Sequence, residues 1–148
     1  MKYFLALISA ALIIGCDYAD KTPGGNGNHV IPKEAFDSTK FTTIEWIDST
    51  SRDYGKINEG QKLDVSFRFK NTGDKPLIIR SVKPGCGCTA AEPPKEPIAP
   101  GAEGIIKASF NSEGRPGKNS KDIYVDANTK GTTNHVVHFD VEVIGKAN

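Results

Sequence analysis

From Phe41 to Ile144 apolar and polar residues alternate with a period of two, interrupted every few residues by Gly, Asn, Asp or Pro. This is the pattern of short strands with one face buried and one in water, not the 3.6-residue repeat of a helix. The alternation is cleanest where Leu63, Val65, Phe67 and Phe69 interleave with Asp64, Ser66, Arg68 and Lys70. It recurs where Val137, Phe139, Val141 and Val143 interleave with His138, Asp140 and Glu142, within a strand expected over 135–144. Further strands are expected over 43–47, 104–110 and 121–126, with another opening at Leu77-Ile78-Ile79 and a short one near Ile57 or Thr89. The turn formers from Asn71 to Pro76 predict a hairpin or a sheet-to-sheet connection. About seven strands at this spacing predict an all-β fold, an immunoglobulin-like antiparallel β-sandwich. Trp46, with Phe41 and Ile44 nearby, is expected as core or as a first-strand anchor.

The amino-terminal end follows a different pattern. Met1-Lys2, the apolar run from Tyr3 to Ile14, and Gly15-Cys16 read as an export signal over 1–15. The run is shorter than the roughly 20 apolar residues needed to span a bilayer. Its end resembles the bacterial lipobox, in which Cys16 becomes the acylated first residue of the mature chain. Residues 16–40, with Pro23-Gly24-Gly25-Asn26-Gly27-Asn28 and few apolar side chains, predict a tether. A Gly-rich coil of about 20 residues spans about 25 Å, which would hold the domain at 41–148 clear of the headgroups. The expected location is the bacterial envelope, lipid-anchored, with the outer membrane favoured and its periplasmic or surface face left open. Acidic Asp17 and Asp20 resemble sorting signals whose meaning differs between bacterial groups.

Composition narrows the partners. With 19 basic and 18 acidic residues the net charge is +1, so no global field draws the chain to nucleic acid or to anionic headgroups. The expected partners are the membrane, through the lipid, and another envelope protein or glycan. After removal of the signal about 130 residues remain, enough for one domain with a real core. The 15 Gly and 9 Pro indicate many turns.

A set of short motifs, in order, covers about residues 50 to 130: Asp53-Tyr54-Gly55-Lys56-Ile57-Asn58-Glu59-Gly60, Phe69-Lys70-Asn71-Thr72-Gly73, Gly85-Cys86-Gly87-Cys88-Thr89, Ile98-Ala99-Pro100-Gly101 and Gly114-Arg115-Pro116-Gly117-Lys118. Together they resemble the bacterial domain-of-unknown-function family 1573, with its Cys-Gly-Cys-Thr motif. The resemblance implies an immunoglobulin-like sandwich similar to the major-sperm-protein and ciliary-type domains, often in exported lipoproteins, and implies no activity. Where the family often has a small polar residue before the first cysteine, this chain has Gly85.

Cys86-Gly87-Cys88 is the sharpest chemical candidate. A bridge between residues two apart requires a turn, which Gly87 permits. Closing so short a loop stabilises by only about 1.5 kcal/mol before strain, a weak rationale for a staple. Three readings stand: a structural loop, thiol-disulfide exchange, or a soft metal such as Cu(I) on the reduced pair. Lys83 is near enough in sequence to lower a thiol pKa, and no His or Met flanks the pair. No resident cofactor is expected.

Other candidates are weaker. His135 and His138, three apart on a strand, point to opposite faces and are expected at an edge or the surface, while His29 lies in the tether. No serine sits in a Gly-x-Ser-x-Gly turn and no histidine has an obvious orienting partner in the sequence, so catalysis is not expected. Asp48 with Asp53 and Glu92 with Glu96 read as surface charges, and 114–118 as a turn lacking the features of a phosphate loop. The proline-rich stretch 90–97, with Pro93, Pro94 and Pro97, is expected to form a rim that blocks edge pairing or binds a partner. Asp37-Ser38-Thr39 and Asp48-Ser49-Thr50 resemble O-glycosylation acceptor signals at Ser38 and Ser49. The leading expectation is a non-catalytic binding or assembly module, and the alternative is a thiol-disulfide or copper-handling protein.

Overall fold

The computed structural model describes residues 37–146. The expected signal, Cys16, His29 and most of the tether lie outside them. The chain runs through a 3-10 turn (Ser38–Lys40) and eight strands: β1 (Ile44–Trp46), β2 (Ser51–Asn58), β3 (Lys62–Asn71), β4 (Ile79–Pro84), β5 (Thr89–Glu92), β6 (Glu103–Asn111), β7 (Gly117–Ala127) and β8 (Asn134–Ile144). They form two four-stranded sheets, ordered β1-β3-β6-β5 and β2-β8-β7-β4. Both Ile57 and Thr89 lie in strands, so there are eight rather than about seven. The pairing departs from the expected antiparallel sandwich where β2 runs parallel to β8 and at the isolated parallel bridge between Thr42 and Thr129. After β1 the chain crosses directly to the other sheet and enters it as the edge strand β2 beside β8.

The alternation places the core where the pattern predicts. Phe67, Phe69, Ile106 and Phe110 of one sheet and Ile123, Val125, Val137 and Phe139 of the other are all buried. Each such side chain stabilises by about 1.5–3 kcal/mol relative to exposure. The two sheets meet through an edge-to-face pair, Phe110 and Phe139 with centroids 6.0 Å apart, and within the second sheet Tyr54 of β2 packs edge-to-face on Phe139 of β8 at 6.1 Å. Trp46 anchors β1, its ring 5.7 Å from Phe69 and 6.2 Å from His135. Gly104 pairs with Phe69 across β3 and β6, and any Cβ there would run into the Phe69 ring.

Residues 71–78 cross between the sheets, as one of the two expected readings of that turn had it, and two fully buried asparagines hold the crossing. Asn71 Nδ2 donates to the carbonyls of Lys75 (2.8 Å) and Ile98 (2.9 Å), while its Oδ1 accepts from Thr42 Oγ1 (2.8 Å) and Gly73 N–H (3.2 Å). Asn128 Nδ2 donates to the carbonyls of Lys40 and Pro76, both at 3.0 Å, and its Oδ1 accepts from Ile78 N–H at 2.6 Å. The 3-10 turn at the end of the expected tether is thereby bonded to the domain. Leu77, between the two networks, exchanges backbone bonds with Ile98 and is fully buried.

Replacing Asn128 by Ala leaves the Ile78 N–H and two carbonyls without this partner, each costing about 1–3 kcal/mol when buried. Urea unfolding of Asn128→Ala is expected to show a loss of about 3 kcal/mol or more, with exposed Lys130→Ala within about 0.5 kcal/mol of the parent. Equal stability of the two variants would contradict this role for Asn128.

Candidate functional site

At the lateral edge of the sandwich the chain passes from β4, terminal in one sheet, to β5, terminal in the other. Residues 85–88 make this passage. Gly85 N–H donates to Asp122 O (2.9 Å), Thr89 N–H returns to Cys86 O (3.3 Å), and Asn111 N–H donates to Cys88 O (2.9 Å). In that turn Cys86 and Cys88 are joined as a disulfide with Cα atoms 5.3 Å apart. Cys88 is buried at 8% exposure and Cys86 is half-buried. The Thr89 hydroxyl lies 3.7 Å from the Cys86 sulfur and 3.9 Å from that of Cys88. A shallow groove of about 420 Å³ beside the bridge is lined by Lys62, Gly87, Cys88, Ala90, Ser109 and Asn111.

The proline-rich stretch divides in two. Residues 89–92 pair with Lys107–Phe110 as β5, and the prolines begin directly after the strand. Pro93 and Pro94 are half-buried and Pro97 is exposed, just before the bridge from Ile98 to Leu77. The disulfide and the proline rim thus bracket a four-residue edge strand.

A second cluster, on the outer face of β7 and β8, was not visible in the sequence. His138 Nδ1 lies 2.6 Å from Asp122 Oδ1, and its Nε2 lies 3.0 Å from Ser120 Oγ and 3.3 Å from Asp140 Oδ1. The expectation that no histidine has an orienting partner is therefore corrected. Its cause is register, since Asp122 pairs with His138 and Ser120 with Asp140 across the ladder. The set has the atoms of a Ser-His-Asp triad but not its proton arrangement. Ser120 Oγ donates to Asp140 Oδ1 at 2.7 Å, closer than its contact with the ring. The Asp122 carboxylate raises the His138 pKa above the ordinary value, against desolvation and with further help from Asp140. With the serine hydrogen directed to Asp140 rather than to the ring, the cluster works as a polar clasp between strands.

His135 behaves oppositely. Burial lowers its pKa, against the pull of Asp126. Thr129 Oγ1 donates to Thr132 O and lies 2.7 Å from His135 Nε2, so it accepts from the Nε2–H of a neutral ring. His135 is half-buried beneath Trp46, more enclosed than the expected surface position. The two rings point to opposite sides of β8, as predicted.

A groove of about 580 Å³ runs beside the His138 clasp, lined by Asp53, Lys56, Lys118, Ser120, Asp140 and Glu142 among others. It opens where a bulge between Asp53 and Lys56 shifts the register of β2, with Gly55 in the left-handed region at φ 69°. Among the described residues no group of three His, Cys, Asp or Glu is placed to hold a metal. Also among these residues, no helix is long and apolar enough to cross a membrane.

The remaining candidates are dispersed. Ser38 and Ser49 are both exposed. Ser49 Oγ donates to Ser51 O at 2.7 Å, and the acid before it, Asp48, is bound by Arg68, which holds its carboxyl below the usual range. Asp48 and Asp53 do not form a pair, since Asp48 ion-pairs with Arg68 and Arg52 while Asp53 Oδ1 caps Gly55 N–H. Residues 112–116 form the crossover from β6 to β7.

The two packed four-stranded sheets define an immunoglobulin-like β-sandwich. The chain belongs to the family described as "Protein of unknown function (DUF1573)", whose model matches residues 44–143. No curated protein matches it. Among solved structures it is similar to a protein of unknown function from Porphyromonas gingivalis W83, with 21% identity and a TM-score of 0.61 over 71% of this chain and 48% of that one. It is also similar to the secreted serine protease VesC of Vibrio cholerae, with 15% identity and a TM-score of 0.52 over 76% of this chain and 25% of that one. A third likeness is to PapD-like domain 7 of human CEP192, with 12% identity and a TM-score of 0.50 over 85% of this chain and 99% of that domain. The chain spans less than half of the first two, and at these identities the likeness shows the fold alone.

The two histidines give opposite pH dependences. His138 has a raised pKa, so its contribution is fully present below the ordinary value of 6.5 and is lost as pH rises through the higher folded value. His135 has a lowered pKa, so its protonation opposes folding as pH falls below 6.5. Urea midpoints from about pH 5 to about pH 8.5 are expected to lose the alkaline decline in His138→Gln and the acid decline in His135→Gln. Pairs this exposed contribute about 0.2–1 kcal/mol, so the changes should be small and of opposite sign. An unchanged profile in His138→Gln would remove the clasp.

Proposed function

We propose that this chain is an envelope lipoprotein, anchored through acylated Cys16, whose sandwich is a non-catalytic binding or assembly module for another envelope protein or glycan. The observation that carries the reading is the rigid edge at β5, a strand of four residues bracketed by the disulfide and by Pro93, Pro94 and Pro97. Loops and edges held by a packed sandwich present backbone groups at fixed positions, which suits recognition. Two or more acyl chains make attachment stable, and the outer membrane is the favoured destination.

The joined cysteines favour a second reading, thiol-disulfide exchange at Cys86 and Cys88, because the bridge lies at the edge and Cys86 is only half-buried. Cu(I) handling would first require reduction, since thiolates rather than disulfide sulfurs bind this ion.

Palmitate labelling and membrane fractionation of the natural chain and Cys16→Ala test the anchor. The variant is expected to lose label and leave the membrane fraction. In cells, a photo-crosslinking residue at Glu96 is expected to give a discrete adduct, and one at Lys56 on the opposite edge none. Retained label in Cys16→Ala would overturn the anchor, and equal crosslinking from both positions would overturn the edge as the binding surface.

A further inference from the structure

The register around β5 shows which of its backbone groups point away from β6. Asn111 N–H donates to Cys88 O, so Cys88, Ala90 and Glu92 direct their backbone groups toward β6, and Thr89 and Ala91 direct theirs away. The Thr89 N–H is taken by Cys86 O. The Thr89 carbonyl and the Ala91 N–H and carbonyl therefore face the open side of a terminal strand. The disulfide sits immediately before Thr89. A strand laid along this edge would be held by about three hydrogen bonds, each of modest net worth, and would carry its own side chains up to the bridge.

We propose that this edge captures an extended, cysteine-bearing segment of another envelope protein, pairing it with β5 and joining it to Cys86 as a mixed disulfide. The inference rests on the thiol-exchange reading above and narrows it to a substrate class. The incoming thiolate attacks the Sγ of Cys86, the less buried of the two residues, and forms the new S–S bond there. The Cys86–Cys88 bond breaks and its electron pair leaves on Cys88 Sγ. The Thr89 hydroxyl, within 3.9 Å of that sulfur, is the donor placed to receive the thiolate, which then takes a proton from solvent. Return attack by Cys88 on Cys86 releases the segment and restores the bridge, so the exchange needs no other oxidant. Beside the bridge, Ser109 Oγ is buried with no hydrogen-bond partner among the described residues, and it lines the groove next to Ala90. A polar side chain of the captured segment would satisfy it.

Three thiols test this on the full chain in detergent: a strand-forming peptide with one cysteine, the same peptide with proline at the residue facing Ala91, and glutathione. Adducts are quenched in acid and mapped by mass spectrometry. The strand-forming peptide is expected to react at Cys86 about tenfold faster than its proline version, a difference that one or two net hydrogen bonds supply. Ala91→Pro, which removes an outward N–H and leaves the ladder to β6 intact, should abolish that preference without changing the rate with glutathione. Equal peptide rates, with glutathione reactive, would overturn strand capture and leave thiol exchange standing. An adduct on Cys88 would overturn the assignment of the attacked sulfur. No reaction with any of the three would remove both readings.

Discussion

Everything else in this domain depends on the crossing from β3 to β4, where the chain leaves one sheet and enters the other beneath two buried asparagines. A buried backbone turn carries donors and acceptors that water cannot reach, and each must find a partner inside. Asn71 and Asn128 supply those partners from both sides, one side chain binding the turn and the Ile98 strap, the other the start of β4 and the carbonyl of Lys40. With the crossing fixed, Leu77 is seated, and β3 and β4 enter their sheets in the register that brings the Phe67, Phe110 and Phe139 rings into one core.

The two lateral edges are treated differently. On the β1 side, β3 extends well beyond its three-residue partner, and side chains close the exposed ladder. Asp48 accepts from the Arg68 N–H, the Tyr54 hydroxyl accepts from the Ser66 N–H, and Arg52 donates to Ser66 O. An edge capped in this way resists pairing with another chain. Among the described residues nothing caps Ala91 in this way, and the two ends of the β5 edge are a disulfide and prolines. One edge is blunted and the other is short but open, and this asymmetry directs the functional reading to β4 and β5.

Much of the architecture was legible from period-two alternation, because β3, β6 and β8 each bury one uninterrupted set of alternate residues. β2 was harder to read. Its inward positions are Arg52, Tyr54 and then Ile57, since the bulge at Gly55 shifts the alternation by one residue, and a fixed period misses the strand. The parallel pairing of β2 with β8 leaves no trace in alternation, which is the same for either direction. Cys86 and Cys88 were found by spacing alone, as adjacent thiols are visible without a fold. The clasp of Ser120, Asp122, His138 and Asp140 could not be found, because a β7–β8 register joins residues up to 20 apart in the chain. The one available signal was polar residues at every second position of two consecutive strands, the same signal that an ordinary solvated face gives.

The account separates what holds the fold, the asparagine-locked core, from what serves recognition, the disulfide-bordered edge. Amide hydrogen exchange on the full chain, oxidised and then reduced, measures that separation most directly. The expected result is that reduction loosens residues 85–92 and leaves the protection of β3, β6, β7 and β8 unchanged. Loss of protection throughout both sheets would make the disulfide a structural staple and contradict the account.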